Sequence, residues 1–180
     1  TEMKKSVDEM QKVIEEKTTN IYFKKSEINN YLVDYKTNLS LNEKKQLEEW
    51  TGLKCSDIVF DSNVDNWSED TSVFNERIIG KKQLVFLIED EDGEKFGYYL
   101  NTEVNNEYYK YIETDNKSFE FNLESNGRLQ QPMKFEIKDL KKGGYYLYEK
   151  SEEYDLISLG NILLRKENEK HLSFWECMEE

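Results

Sequence analysis

The stretch Gln83–Leu100, QLVFLIEDEDGEKFGYYL, decides the fold. Leu84, Val85, Phe86, Leu87 and Ile88 form an unbroken apolar run of β-branched, leucine and aromatic side chains, the pattern of a strand buried on both faces. Asp90-Glu91-Asp92-Gly93 follows, and Asp-Gly between apolar runs signals a turn, because glycine takes φ > 0 without a Cβ clash. Lys95–Leu100 returns with Phe96, Tyr98 and Leu100 on one face, and Gly97 marks a close approach by a neighbouring backbone. The stretch reads as a hairpin on which the rest of the chain packs.

Working outward, short strands recur at roughly ten-residue spacing. Asp57–Phe60 precedes the hairpin, separated from it by the polar, turn-like Asp61–Thr71 and a short helix over Val73–Ile79. Glu107–Ile112 follows, carrying Tyr108, Tyr109 and Tyr111. Phe119, Phe121 and Leu123 alternate with Glu120 and Asn122, a half-exposed strand, and Asn126-Gly127 turns the chain. Met133, Phe135 and Ile137 alternate again, Gly143-Gly144 makes a further turn, and Tyr145–Tyr148, Leu156–Leu159 and Asn161–Arg165 complete the set. Such spacing indicates an antiparallel sandwich.

The first fifty residues have a helical texture. Ser40-Leu-Asn-Glu43 is a capping box opening a helix with Leu47 and Trp50 on its buried edge, and Gly52 is placed to end it. Ile21–Tyr35 reads as another helix with Ser26 as N-cap and Ile28, Leu32 and Tyr35 on one face. In Thr1–Lys17, Met3, Val7, Met10 and Ile14 recur at heptad spacing between Lys and Glu. This stripe is the candidate association site: it is either the end of a coiled coil that pairs with a second copy, or a face that docks on the chain's own body. The expected fold is α+β, with a helical segment over residues 1–52 and a two-sheet antiparallel β-sandwich over residues 53–180.

Hydrophobic residues make up only 37% of the 180 residues, but 12 Tyr, 9 Phe and 3 Trp supply large buried areas. The core is thus expected to be aromatic, with Phe86, Phe96, Phe119, Phe121 and Phe135 shared between the sheets. Net charge is −13; residues 1–50 hold nine lysines against ten acids, leaving 16 bases and 28 acids beyond, a net of −12. An acidic body repels nucleic-acid phosphate and anionic lipid, so neither is an expected partner. Cys55 and Cys177 stand far apart, with no CxxC or Cys/His cluster to suggest zinc or a disulfide framework. With no signal peptide and no apolar run near 18 residues, a cytoplasmic location is expected.

Several segments, taken in order, resemble a family. Phe60-Asp61-Ser62, the short helix with Phe74, a strand ending in Asp-Gly, Phe96-Gly97-Tyr98, Ser118-Phe119-Glu120-Phe121-Asn122-Leu123 and Leu159-Gly160-x-Ile162-x-Leu164 are similar to the TLDc domain over roughly residues 40–180. In that family the return strand commonly reads Phe-Gly-Gly-Tyr, so Tyr98 stands where a second glycine is usual. The family's closing Glu-Val-Trp-like strand is replaced by Cys177-Met178-Glu179-Glu180, which marks either a truncated chain or a diverged terminus. The resemblance implies a two-sheet sandwich with helices at its N-terminal side. It also implies a non-catalytic interaction module linked to oxidative-stress protection and to binding and regulating the vacuolar proton-pumping ATPase.

No chemistry-bearing constellation emerges beside it. His171 is the single histidine and sits in a charged stretch, so a triad would have to be built on it. Cys55 and Cys177 have no basic activator nearby other than Lys54. Glu89-Asp90-Glu91-Asp92 lacks the spacing of an EF-hand loop and reads as a solvated hairpin tip. No phosphate-binding loop, dinucleotide fingerprint or HExxH occurs, so no cofactor is expected. Two alternatives stay open: a small hydrolase or redox enzyme, which would need a deep pocket placing His171 or a cysteine beside a carboxylate, and a nucleic-acid-binding regulator, which would need a lysine stripe along Lys4, Lys5, Lys12, Lys24 and Lys25.

Overall fold

A computed structural model describes residues 2–34, 36–68, 72–166 and 174–175. The chain divides into two compact units, residues 1–55 and 56–180. No helix among the described residues is long and apolar enough to cross a membrane.

In the first unit, α1 (Glu2–Tyr31) is one continuous helix of 30 residues. The two helical segments read from the sequence are therefore joined, and Ser26 lies inside the helix instead of capping a new one. Nothing between them stops a helix: the segment has no glycine or proline. Thr19, a residue type that competes for backbone groups, donates its hydroxyl to the Glu15 carbonyl one turn back, at 2.9 Å. Tyr35 lies outside the described residues. The short strands β1 (Val33–Asp34) and β2 (Leu39–Ser40) pair antiparallel and lead into α2 (Leu41–Thr51). The capping box is formed as read: Glu43 N donates to Ser40 Oγ at 3.2 Å, and Ser40 N donates to a Glu43 carboxylate oxygen at 2.6 Å. Gly52 ends the helix at φ 71°, its N–H donating to the Glu48 carbonyl. Leu39 and Leu47 are buried.

The second unit contains α3 (Phe74–Ile78) and strands β3 (Leu84–Glu89), β4 (Lys95–Leu100), β5 (Tyr111–Ile112), β6 (Phe119–Glu124), β7 (Met133–Glu136), β8 (Tyr145–Leu147), β9 (Asp155–Leu159), β10 (Ile162–Arg165) and β11 (Phe174–Trp175). They form two antiparallel sheets, ordered β3-β4-β6-β7 and β11-β10-β9-β8-β5. Phe86, Tyr98 and Leu100 of the first sheet meet Tyr145, Leu147, Ile157, Leu159 and Ile162 of the second, with Phe74 and Ile78 of α3 in the same core. The fold is the α+β arrangement of helices followed by a two-sheet sandwich. The expected hairpin is present, with a register that runs from Leu84 opposite Leu100 to Glu89 opposite Lys95. Its tip is closed by Asp90, which accepts from Asp92 N and Glu94 N at 3.1 and 2.8 Å.

Several expectations are corrected. Asp57–Phe60 forms no strand; it is a loop with a bend at Val59, and its Phe60 ring packs edge-on against Phe74, 5.1 Å between centroids. Only Tyr111–Ile112 of the 107–112 segment is a strand. β3 is not buried on both faces, because it lies at the edge of its sheet: Phe86 is buried, whereas Val85 is exposed on the other face. Gly143-Gly144 is not the turn, which falls on residues 140–142. Instead a Cβ on Gly144 would lie 2.1 Å from the Ile112 carbonyl oxygen, so glycine here permits close approach of β5.

The largest correction concerns β6. Phe119 lies opposite Tyr99 and Phe121 opposite Gly97, so these rings share the face turned away from Tyr98 and the inter-sheet core. They are buried nonetheless, at 1% and 2% exposed, in a separate layer where Tyr99 and Phe119 stand 5.1 Å apart. Glu120 and Asn122, expected at the surface, face the second sheet. Phe96 is only half-buried, and Phe135, opposite Glu120 on the edge strand β7, is 40% exposed and outside the core.

Candidate interaction site

Continuity of α1 changes the meaning of the stripe. Met3, Val7, Met10 and Ile14 are followed on the same helix by Ile21 and Ile28, each seven residues after the last, so Val7, Ile14, Ile21 and Ile28 repeat one heptad position. Val7, Met10, Ile14, Ile21 and Ile28 are 51, 60, 62, 66 and 56% exposed. The side chain of Met3 lies outside those described. Val13, Tyr22 and Phe23 are also exposed, so almost the whole apolar content of residues 7–28 faces outward. Isolated apolar residues at a surface are ordinary; a row repeated through three heptads, about six turns of helix, makes this the candidate interaction face. The sequence showed only its first half, because the second was assigned to a separate helix.

In the second unit the sheets are joined through Glu120 and Tyr98. A Glu120 carboxylate oxygen accepts from Asn161 N at 3.2 Å, in the β9–β10 turn. Gly160 makes this approach feasible: with φ 55°, it lies where a Cβ would stand 2.6 Å from that oxygen. Burial pushes the Glu120 carboxyl above its usual range, opposed by the hydrogen bonds from Asn161. Tyr98 is fully buried and donates its hydroxyl to the Gly143 carbonyl. Burial and the neighbouring Glu120 raise its ionisation well beyond the ordinary tyrosine range. The carboxylate and hydroxyl are thus engaged across the sandwich, and the Leu159-Gly160-x-Ile162 motif is the turn that docks on them.

Other sequence candidates are placed as follows. His171 and Cys177 lie outside the described residues, as do Glu69 and Asp70. Cys55 is exposed, yet partial desolvation by the surrounding protein, followed by the Glu48 charge, raises its thiol, opposite to an activated thiolate. Lys54, adjacent in sequence, is engaged with Glu48 at 2.6 Å. The acids at positions 89–92 are exposed, and among the described residues no group of three His, Cys, Asp or Glu side chains is arranged to hold a metal ion.

Two features escaped the sequence reading. Lys166 is 2% exposed, and its ammonium donates to the carbonyls of Lys150 and Glu152, pinning the β8–β9 connection. Tyr109, Tyr146 and Tyr148 form a cluster, with the Tyr146 and Tyr148 rings 4.9 Å apart and the Tyr109 hydroxyl donating to Glu152 at 3.2 Å. The density of tyrosine was the available signal for the cluster; nothing local marks a buried lysine.

No curated protein and no solved structure matches the chain. The family model of the TLDc domain matches residues 22–172, from the last turns of α1 to beyond the end of β10. With a match over most of its length, and a two-sheet sandwich preceded by helices, the chain belongs to the TLDc domain family.

Proposed function

We propose that this protein is a non-catalytic TLDc interaction module that self-associates through α1 and presents its sandwich to a protein partner in the cytoplasm. The observation that carries the reading is the outward-facing row of Val7, Met10, Ile14, Ile21 and Ile28. Family membership supports the wider role, in which the resemblance links such modules to protection against oxidative stress and to the vacuolar proton-pumping ATPase. The net charge of −13 favours a protein partner over nucleic acid or anionic membrane.

The test is sedimentation of the full chain at about tens of micromolar, with Val7→Asp plus Ile14→Asp as the variant. The parent should be a dimer and the variant a monomer with unchanged near-ultraviolet dichroism, because the substituted positions are exposed in the single chain. A monomeric parent refutes self-association. Independently, immobilised protein should retain purified peripheral subunits of the vacuolar ATPase; absence of retention removes that partner.

A further inference from the structure

Resting on the reading that the sandwich meets a protein partner, we infer that the cluster of Tyr109, Tyr146 and Tyr148 is the docking point for an arginine side chain on a basic segment of that partner. The alternation of β8 sets up the surface. Tyr145 and Leu147 point into the core, which leaves Tyr146 and Tyr148 on the outer face of the sheet. Tyr109 joins them from the turn before β5, held there by its N–H, which donates to the Leu147 carbonyl at 3.1 Å. Its ring meets both of the others edge-on, 6.4 Å between centroids in each case. Tyr109 is 47% exposed, so an aromatic face is offered to solvent on a packed support. Its φ of 54° is a left-handed backbone that a bulky side chain keeps only where its surroundings hold it, and such strain gathers at binding sites.

Charge selects the occupant. Residues 149–155 carry Glu149, Glu152, Glu153 and Asp155 against Lys150 alone. The neighbouring bases are committed: Lys150 pairs with Glu76 and Arg165 with Asp155, each at 3.1 Å, Lys110 pairs with Glu107, and the Lys166 ammonium is turned onto two backbone carbonyls. Glu149, Glu152 and Glu153 accept from the hydroxyls of Ser151, Tyr109 and Tyr154, which bring no positive charge. Aromatic faces and carboxylates side by side both attract a cation. The 3.2 Å bond from the Tyr109 hydroxyl sets the Glu152 carboxylate at the rim of that exposed ring. A planar guanidinium can lie on the ring and turn its N–H groups to the carboxylate, whereas a lysine ammonium is a compact, strongly hydrated point charge without that fork. A second copy is not the donor, because the chain's three arginines, Arg77, Arg128 and Arg165, are ion-paired with Asp65, Glu94 and Asp155.

Fluorescence anisotropy of the full chain with a short labelled peptide alternating glycine and arginine, at about 0.15 M salt, tests this. The same peptide with lysine in place of arginine should bind about threefold more weakly. Tyr109→Leu keeps an apolar side chain and the net charge but removes the aromatic face, and should weaken the arginine peptide about threefold to fivefold. Glu152→Gln should weaken it by a similar factor, and it carries the test if Tyr109→Leu proves destabilised on melting. Glu91→Gln with Asp92→Asn, at the hairpin tip of the other sheet, removes two charges and should change the affinity less than about twofold. Equal affinity for the two peptides, no binding of the arginine peptide at about millimolar concentration, or Tyr109→Leu and Glu152→Gln proteins that bind as the parent does would each overturn the site. Those results leave the interaction-module reading standing on its own retention assay. Conversely, failed retention of the ATPase subunits with Tyr109-dependent peptide binding intact removes that partner and supports the site.

Discussion

Gly97→Ala probes the join between the two hairpin strands and the layer behind them. A Cβ at position 97 would stand 1.8 Å from the Phe86 carbonyl oxygen and 2.9 Å from the Phe121 ring, where real Cβ contacts stay above 3.0 Å. The oxygen belongs to the partner strand's backbone, so relief requires moving β3 by more than 1 Å within a ladder that runs from Leu84 to Glu89. Overpacking a core costs about 1–3 kcal/mol where side chains can give way. Here the obstacle is main chain, so the upper figure applies, about 3 kcal/mol of the roughly 5–15 kcal/mol that holds a domain. For a chain of this size that lowers the melting temperature by about 6–12 °C. Urea titration and thermal melting followed by tryptophan fluorescence measure it. Gly127→Ala is the control, since position 127 has φ 82° and nothing within 4 Å, leaving only a left-handed-backbone penalty of about 1–2 kcal/mol. Repeating Gly97→Ala in a Phe121→Ala background separates the two contacts, and the cost should persist because the carbonyl remains. A Gly97→Ala protein melting within about 2 °C of the parent would refute the close approach, and loss of the penalty in the Phe121→Ala background would shift the blame to the ring.

Two further predictions concern β6 and its neighbour. Glu120 has its carboxyl raised by burial above the ordinary 4.5, so its protonated form is the one that stabilises the fold: that contribution is fully present below 4.5 and is lost as pH rises through the folded value. Glu120→Gln keeps an acceptor for Asn161 N and never ionises, so it should melt above the parent at pH 7, with the gap closing as pH falls toward 4.5; a gap independent of pH would disprove the burial argument. Phe121→Ala should cost about 3–5 kcal/mol in urea titration, whereas Phe135→Ala on the exposed edge should cost under about 1 kcal/mol, and equal losses would contradict the face assignment.

Features written in neighbouring residues were legible without the structure. The Ser40–Glu43 box, the Gly52 cap and the short helix near Phe74 each depend on groups within one or two turns, and the hairpin on its own two strands and turn. Order and kind of segment carried the family. What stayed hidden was non-local. Alternation in Phe119–Leu123 establishes that β6 has two unlike faces, but not which of them meets the other sheet; that depends on Asn161, some 40 residues away, offering its N–H to Glu120. Likewise an apolar run reads the same at the edge of a sheet as at its centre, and strand order alone placed β3 at the edge. Residues 18–26 hold no strong start or stop, so their weak preferences left the helix divided on paper, while the tertiary structure runs it unbroken because each added residue of an existing helix gains a hydrogen bond without repeating the cost of nucleation.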